Sequence, residues 1–196
     1  MAQITIVGTG SVGGPLATTA TRTGHETTSI TRATDASEAL GVLKTADLVF
    51  LALPYEAALD LPVDWKDALA DKVVVDVTNP LKPDFSGLTL GFDVSGAERV
   101  AAALPKSSVV KALNAVLAPN HDPSAYPADS VFVPVASDDD AAKATVIAVL
   151  ASLGFAPIDA GPLANARYIE PLAELLVQLA YFQNNGTQIA LSLLRA

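Results

Sequence analysis

The sequence predicts an α/β fold: a doubly wound, mainly parallel sheet followed by a C-terminal helical segment. Three observations carry this. Short apolar runs alternate with helix-like segments along the chain. A glycine-rich turn separates the first run from the first helix. The 196 residues, 51% hydrophobic and 17% charged, suit one domain with a sizeable core and exclude a disordered chain.

The elements follow in order. Residues 3–7 (QITIV) read as the first strand, Gly8–Gly14 as a turn and Pro15–Thr23 as the first helix, with proline tolerated in its first turn. Gly24 ends that helix, and Glu26–Thr31 is a second strand. Asp35–Lys44 is helical; Leu48–Leu53, Val73–Val77 and Val109–Leu113 are buried strands. Ser130–Ala136 is a further strand, and Ser137 to Asp140 supply N-cap chemistry for a helix over Ala141–Leu153. Gly154 stops it before a short strand, Phe155–Ile158. From Leu163 onward the chain reads as helix, with Asn184-Asn185-Gly186 as a break or kink. The Pro- and Gly-rich stretches 79–91 and 118–129 are long loops. Residues 1–162 are thus expected to form the main domain, and 163–196 the helical segment.

One spacing departs from a standard doubly wound half. About sixteen residues separate Thr31 from Leu48. A crossover needs about a dozen, so one helix fits and a third strand does not.

Composition excludes several functions. Lys and Arg number 12 against 21 Asp and Glu, a net charge of −9, with no basic run to bind nucleic acid. The absence of cysteine removes disulfides, iron–sulfur clusters, thiolate zinc sites and a cysteine nucleophile. No leader pattern and no membrane-length apolar run is visible, so the expectation is a cytoplasmic protein with no membrane partner. No metal site is expected, and the Asp138–Asp140 run reads as capping.

Gly8-Thr9-Gly10-Ser11-Val12-Gly13 matches G-x-G-x-x-G, with a strand before it and a helix after it. Gly8 allows the tight turn, Gly10 a close approach to pyrophosphate, and Gly13 close helix–strand packing. The helix N-terminus offers free N–H groups to the phosphates. This makes the domain Rossmann-type. At the end of the second strand an NAD site usually has a carboxylate. This chain has Thr31-Arg32, a hydroxyl and a guanidinium suited to a 2′-phosphate, so the cofactor expected is NADP(H). Thr9 offers a further hydroxyl.

Ligands of such sheets lie outside the carboxyl ends of the strands. That rule selects Leu53, Pro54 and Tyr55 on the adenosine and ribose side, and Asn79 and Asn114 on the nicotinamide side. Asn79-Pro80 also suits simple turn chemistry, and Asn114 a strand-end cap. His25 reads as a strand-edge residue. His121 reads as a loop residue, though within reach of the site. No H-E-x-x-H or G-x-S-x-G is present, and no catalytic residue is assigned. Hydride transfer to a carbonyl normally wants a proton donor. Transfer between two planar rings mainly needs positioning, and the residue set suits that case.

The segments GTGSVGGPLA, TR, LALP, DVTNPL, VKALN and DAGPLANARYIEPLAEL together resemble the NADP oxidoreductases that use the deazaflavin coenzyme F420. The resemblance covers most of the chain, and the last segment is its most specific part. It implies reversible hydride exchange between NADPH and the deazaflavin, with Thr9, Thr31 and Arg32 on the 2′-phosphate. It also implies a homodimer built on the C-terminal helices, where Leu172, Leu175, Leu176, Leu179 and Phe182 form apolar faces. Burial against the chain's own sheet is the other use of those faces. Two departures stand out: the short stretch after Arg32, and Asn114 where some members carry His. Arg167 and Glu170, at i and i+3, read either as a surface pair or as pocket residues beside an anionic acceptor. Lys82 and Arg167 are the acceptor-side cations. Two rival functions remain: an NADPH-dependent reductase of another acceptor (a flavin, a ferric complex or an imine), and a non-catalytic NADPH-binding redox sensor.

Overall fold

In the computed structural model, which describes residues 2–194, strands and helices alternate from the first residues to the last helix. The main sheet holds β1 (Gln3–Val7), β2 (Glu26–Ile30), β3 (Leu48–Leu51), β4 (Val73–Asp76) and β5 (Ser108–Lys111). Their order is β2-β1-β3-β4-β5 and every pairing is parallel. A second parallel pair, β6 (Phe132–Val135) and β7 (Ala156–Asp159), joins β5 through one antiparallel bridge, Lys111 to Ala136.

Alternate side chains along each strand feed two cores. Ile4, Ile6, Leu48, Phe50, Val75 and Val110 pack on one face with Leu16 of α1 (Gly13–Arg22) and Val146 and Leu150 of α6 (Asp140–Ser152). Val7, Val49, Leu51, Val74 and Val109 face the other way, onto Leu43 of α2 (Ala36–Thr45) and Val100 of α5 (Gly96–Ala103). Strands covered on both faces explain the near-continuous apolar runs. The chain is a Rossmann-like α/β domain with a C-terminal helix. α2 crosses alone from β2 to β3, leaving β2 at the edge, as the spacing after Arg32 requires.

Several expectations need correction. The strands stop before the residues that end their apolar runs: β3 at Leu51, β4 at Asp76 and β5 at Lys111. Just beyond, Ala52 and Ala112 still donate to the Val7 and Asp76 carbonyls of neighbouring strands, and the chain then leaves the sheet. Three helices were not anticipated. α3 (Tyr55–Leu59) and α4 (Val63–Ala68) start directly after Pro54 and Pro62 and are too short to show a period. α5 carries a complete capping box between Ser95 and Glu98, a signal readable in the sequence. The last helix, α7 (Ala166–Val177), passes into a π-helical turn, Gln178–Phe182, and stops. Asn184 and Gly186 have φ of 57° and 74°, so this is an end and not a kink. The following chain returns to the domain: Asn120 Nδ2 donates to the carbonyls of Thr187 and Ile189, and Phe132 N–H to that of Leu191. Asp139 caps α6 by accepting from the N–H groups of Ala141 and Ala142, as expected. Among the described residues no helix is long and apolar enough to cross a membrane.

Candidate functional site

Successive crossovers run on opposite faces from β1 to β2 and from β2 to β3. The strand order therefore reverses between β1 and β3, where an open sheet forms its crevice. The Gly8–Gly13 turn sits there. Gly8 N–H donates to the Ile30 carbonyl at 2.8 Å, and Ala52 N–H to the Val7 carbonyl at 2.9 Å, fixing the turn against both neighbours. A Cβ on Gly8, whose φ is 98°, would meet the Ala52 carbonyl oxygen at 2.3 Å. A Cβ on Gly13 would lie 1.9 Å from the Gly8 carbonyl oxygen, whereas one on Gly10 meets nothing within 4 Å. The glycines thus separate into two kinds, and their substitutions should too. Gly13→Ala is expected to lower the melting temperature sharply, because the helix must move off the turn. Gly10→Ala is expected to melt like the wild type and to lose nucleotide affinity, since its Cβ points into open space where a ligand backbone would lie. Thermal melts and nucleotide titration of both variants check this.

Two cavities flank the turn. The larger, about 630 Å³, is lined by Gly8, Thr9, Gly10, Thr31, Arg32, Leu53, Pro54 and Trp65. The smaller, about 200 Å³, lies on the other side and is lined by Val12, Asn79, Asn114, His121, Phe85 and Tyr181, with Ala173, Leu176 and Val177 of α7. Ser11, Gly13 and Tyr55 line neither. Tyr55 opens α3 with its ring buried, and its Cε2 would meet a Cβ on Gly96 at 3.1 Å, so it faces α5 and not the crevice. Trp65 was missed because it lies on the short α4; its signal was being the sole tryptophan of the chain.

Arg32 is exposed on the rim of the larger cavity, without an ion pair or hydrogen bond among the described residues. The Thr31 hydroxyl accepts from Ala33 N–H at 3.1 Å and lies 3.3 Å from the Thr34 hydroxyl, which orders the turn that carries Arg32. On the other side Asn79 and Asn114 hold each other. Asn79 Nδ2 donates to the Asn114 carbonyl at 2.9 Å, and Asn114 Nδ2 to Asn79 Oδ1 at 3.0 Å. Leu113, between β5 and Asn114, has φ of 65°, a region L side chains rarely adopt.

The floor beneath the Asn pair is charged and fully buried. Lys111 Nζ lies 2.9 Å from Asp76 Oδ2 and 3.4 Å from Glu170 Oε1, and donates to the Thr78 carbonyl. Asp76 Oδ1 accepts from Thr78 N–H. Glu170 accepts from Gly96 N–H at 2.8 Å and Ala97 N–H at 3.0 Å, the free donors of the α5 N-terminus. Arg167 makes a bidentate pair with Glu98 of the same helix end, at 2.6 and 2.9 Å. So Arg167 and Glu170 do not pair with each other. Both border a third recess with Leu88 and Phe92, but their charges are already engaged. Arg167 is therefore not a free cation for an acceptor; Lys82 is exposed and outside both crevice cavities. These motif residues lock α7 and α5 to the strand ends. The sequence did carry a signal for this: a lysine ending an apolar strand run needs a buried partner.

Two groups are held furthest below their ordinary values, and Asp35, Asp84, Asp122, Asp139 and Asp159 are held below theirs as well. Burial pushes the His121 imidazole down to about 4 from its ordinary 6.5. The hydrogen-bonded Arg167 guanidinium holds Glu98 at about 2, below its ordinary 4.5. Both folded values lie below the unfolded ones. Each contribution is thus complete above the unfolded pKa and is lost as pH falls toward the folded one. His121 acts first, between pH 6.5 and 4, and Glu98 below pH 4.5. Unfolding free energy is expected to drop by about 3 kcal/mol over the first window. Urea melts across that range check it, and His121→Leu should remove that step.

A family described as NADP oxidoreductase, coenzyme F420-dependent, matches residues 3–80. The F420-dependent NADP reductase of Methanocaldococcus jannaschii is 32% identical over 156 residues, 76% of this chain and 69% of that protein. The metalloreductase STEAP3 of Rattus norvegicus is 34% identical over 131 residues, 66% of this chain but only 25% of that protein. The crystal structure of a candidate F420-dependent NADP-reductase from Arthrobacter sp. FB24 superposes with a TM-score of 0.86 at 27% identity, covering all of both chains.

Proposed function

The chain belongs to the coenzyme F420-dependent NADP oxidoreductase family, and on that premise we propose that it transfers hydride between NADPH and a deazaflavin, coenzyme F420, stacked on the nicotinamide. One observation carries the reading. A glycine turn with open space at Gly10 stands between a larger cavity rimmed by Arg32, which has no ion pair among the described residues, and a smaller one bordered by Asn79 and Asn114. That division matches a dinucleotide with a charged adenosine half and a planar reactive half.

The residues present fit such a molecule. Gly8 to Gly13 would hold the pyrophosphate at the α1 N-terminus. Thr9, Thr31 and Arg32 would bind the 2′-phosphate, where a guanidinium favours the phosphate that a carboxylate repels. Leu53 and Pro54 would border the ribose, with the Trp65 indole as an apolar wall for adenine. Val12, Asn79 and Asn114 would border the nicotinamide. Tyr55, turned toward α5, is outside this set. NADPH, when bound, supplies the hydride. The work left to the protein is to hold two rings face to face and keep water out, for which a rigid apolar wall is sufficient. At about 200 Å³ the smaller cavity suits one ring. The acceptor would stack at its mouth, where Phe85 and Tyr181 are half exposed.

Tyr168, Leu175, Leu179 and Phe182 leave an exposed apolar face on and after α7. We assign it to a second copy of the chain in a homodimer. The similarity to a metalloreductase favours a second reading in which NADPH reduces another acceptor. A panel of oxidised coenzyme F420, FMN, a ferric chelate and a cyclic imine, each with NADPH, decides between them. Turnover confined to F420 is expected; turnover confined to another member transfers the assignment to it.

A further inference from the structure

Strained backbone gathers at one cavity of this molecule. Among the described residues, five other than glycine lie in the left-handed region, with φ from 54° to 65°. Asp71, Asp129 and Asn184 are of the kinds that tolerate it. The other two, Phe85 and Leu113, carry bulky side chains, for which this region is a true outlier. Both line the smaller cavity, Leu113 fully buried just beyond β5 and Phe85 half exposed at the mouth. Such strain persists only where the surroundings enforce it, and it clusters at active sites and ligand clamps.

At Phe85 the enforcing contacts are few. Residues 80–91 form a hairpin closed by an antiparallel bridge between Leu81 and Leu88. Lys82 N–H donates to the Gly87 carbonyl at 2.8 Å and Phe85 N–H to the Lys82 carbonyl at 2.9 Å, so the tip is held by its own backbone. Among the described residues one hydrogen bond ties this hairpin to a distant part of the chain: Gln178 Nε2 donates to the Phe85 carbonyl at 2.9 Å. The same amide nitrogen donates to Glu174 Oε1 at 2.5 Å, one turn earlier on the helix. Two acceptors on one nitrogen fix the orientation of that amide. Gln178 opens the π-helical turn after α7, and that turn also carries Tyr181 to the cavity mouth. A half-exposed aromatic ring on strained backbone is unfavourable for the free protein. A flat ring laid against it removes apolar area from water and gains a stacking contact.

We propose that Phe85 is the outer stacking face of the acceptor site, and that Gln178 is the positioning residue that latches it there. The inference rests on the reading that hydride passes to a planar acceptor at this mouth. The deazaflavin ring system would lie between the nicotinamide and the Phe85 ring, with Leu113 backing the cavity from within. Gln178 acts through the Phe85 carbonyl and takes no part in bond making. The hairpin thereby favours flat acceptors over globular ones.

The test uses the full chain with Phe85→Asn, Phe85→Tyr, Gln178→Met and the double variant Phe85→Asn, Gln178→Met. Three quantities are measured: the melting temperature without ligand, the affinity for NADP+, and the affinity for oxidised F420 in the presence of NADP+ by equilibrium dialysis. Phe85→Asn is expected to melt at or above the wild-type temperature, because asparagine adopts the left-handed region readily and little buried area is lost. Its NADP+ affinity should match the wild type, and its F420 affinity should fall about tenfold. Phe85→Tyr keeps a ring and should restore the wild-type value. Gln178→Met, similar in length but without a donor, should weaken F420 by about three- to tenfold. The double variant should lose no more than Phe85→Asn alone, because the latch acts through the ring. Unchanged F420 affinity in Phe85→Asn overturns the proposal. So does a lower melting temperature with NADP+ and F420 lost alike, which marks a purely structural hairpin. Losses that add in the double variant overturn the latch. A wild-type protein that binds NADP+ but not F420 overturns the acceptor reading itself, and that result precedes any substitution.

Discussion

Lys111→Met is expected to lower the unfolding free energy by about 3–5 kcal/mol, the cost of breaking a buried charge pair from one side. Lys111 and Asp76 are fully buried and Glu170 is 2% exposed. The lysine is the cation between the two carboxylates, and it also holds the Thr78 carbonyl. Without it, two carboxylates face each other in a low-dielectric core. The α5 N-terminus still satisfies Glu170 through Gly96 and Ala97, but nothing else described replaces the charge beside Asp76. In a domain of this size the melting temperature should fall by about 6–20 °C. The triple variant Lys111→Met, Asp76→Asn, Glu170→Gln should regain much of the loss, because a neutral cluster avoids the desolvation penalty. A single-variant loss below about 1 kcal/mol, the range of an exposed pair, contradicts the account of this cluster.

Arg32→Ala is expected to weaken NADPH by about 1.5–3 kcal/mol, the range for a hydrogen bond to a charged group, or about ten- to 150-fold in affinity. NADH should barely change. The guanidinium is exposed and unpaired among the described residues, so its removal disturbs no internal contact. Its contribution should shrink as salt is raised, because exposed charges are screened within about 8–10 Å. On a chain of net charge −9 this local cation offsets long-range repulsion of an anionic nucleotide. Trp65 lines the same cavity and is the sole tryptophan, so its fluorescence reports the titration. Equal losses for NADPH and NADH would remove Arg32 from the 2′-phosphate.

The parts of this fold legible in the sequence are those fixed by local rules. Gly13 is required by the Gly8 carbonyl five residues earlier and Gly8 by its own left-handed turn, and the spacing after Arg32 leaves no room for a further strand. The same locality brought Thr31 and Arg32 to the nucleotide loop. What stayed hidden depends on contacts distant in sequence. Tyr55 follows a strand end, yet α3 turns it toward Gly96, some forty residues on. Arg167 and Glu170 have helical spacing that suggests a mutual pair, but each finds its partner on α5. The loop of Asn120 and His121 is tied to the returning C-terminal chain and to α1, neither visible in the loop itself. Leu113 carries no sign of its left-handed backbone.

The central claim is tested most directly by mixing the purified protein with oxidised coenzyme F420, adding NADPH or NADH in parallel, and following the deazaflavin absorbance. The account predicts rapid bleaching with NADPH and little with NADH. No bleaching, in a protein that still binds NADPH tightly, would contradict it and leave the crevice to another acceptor or to sensing without turnover.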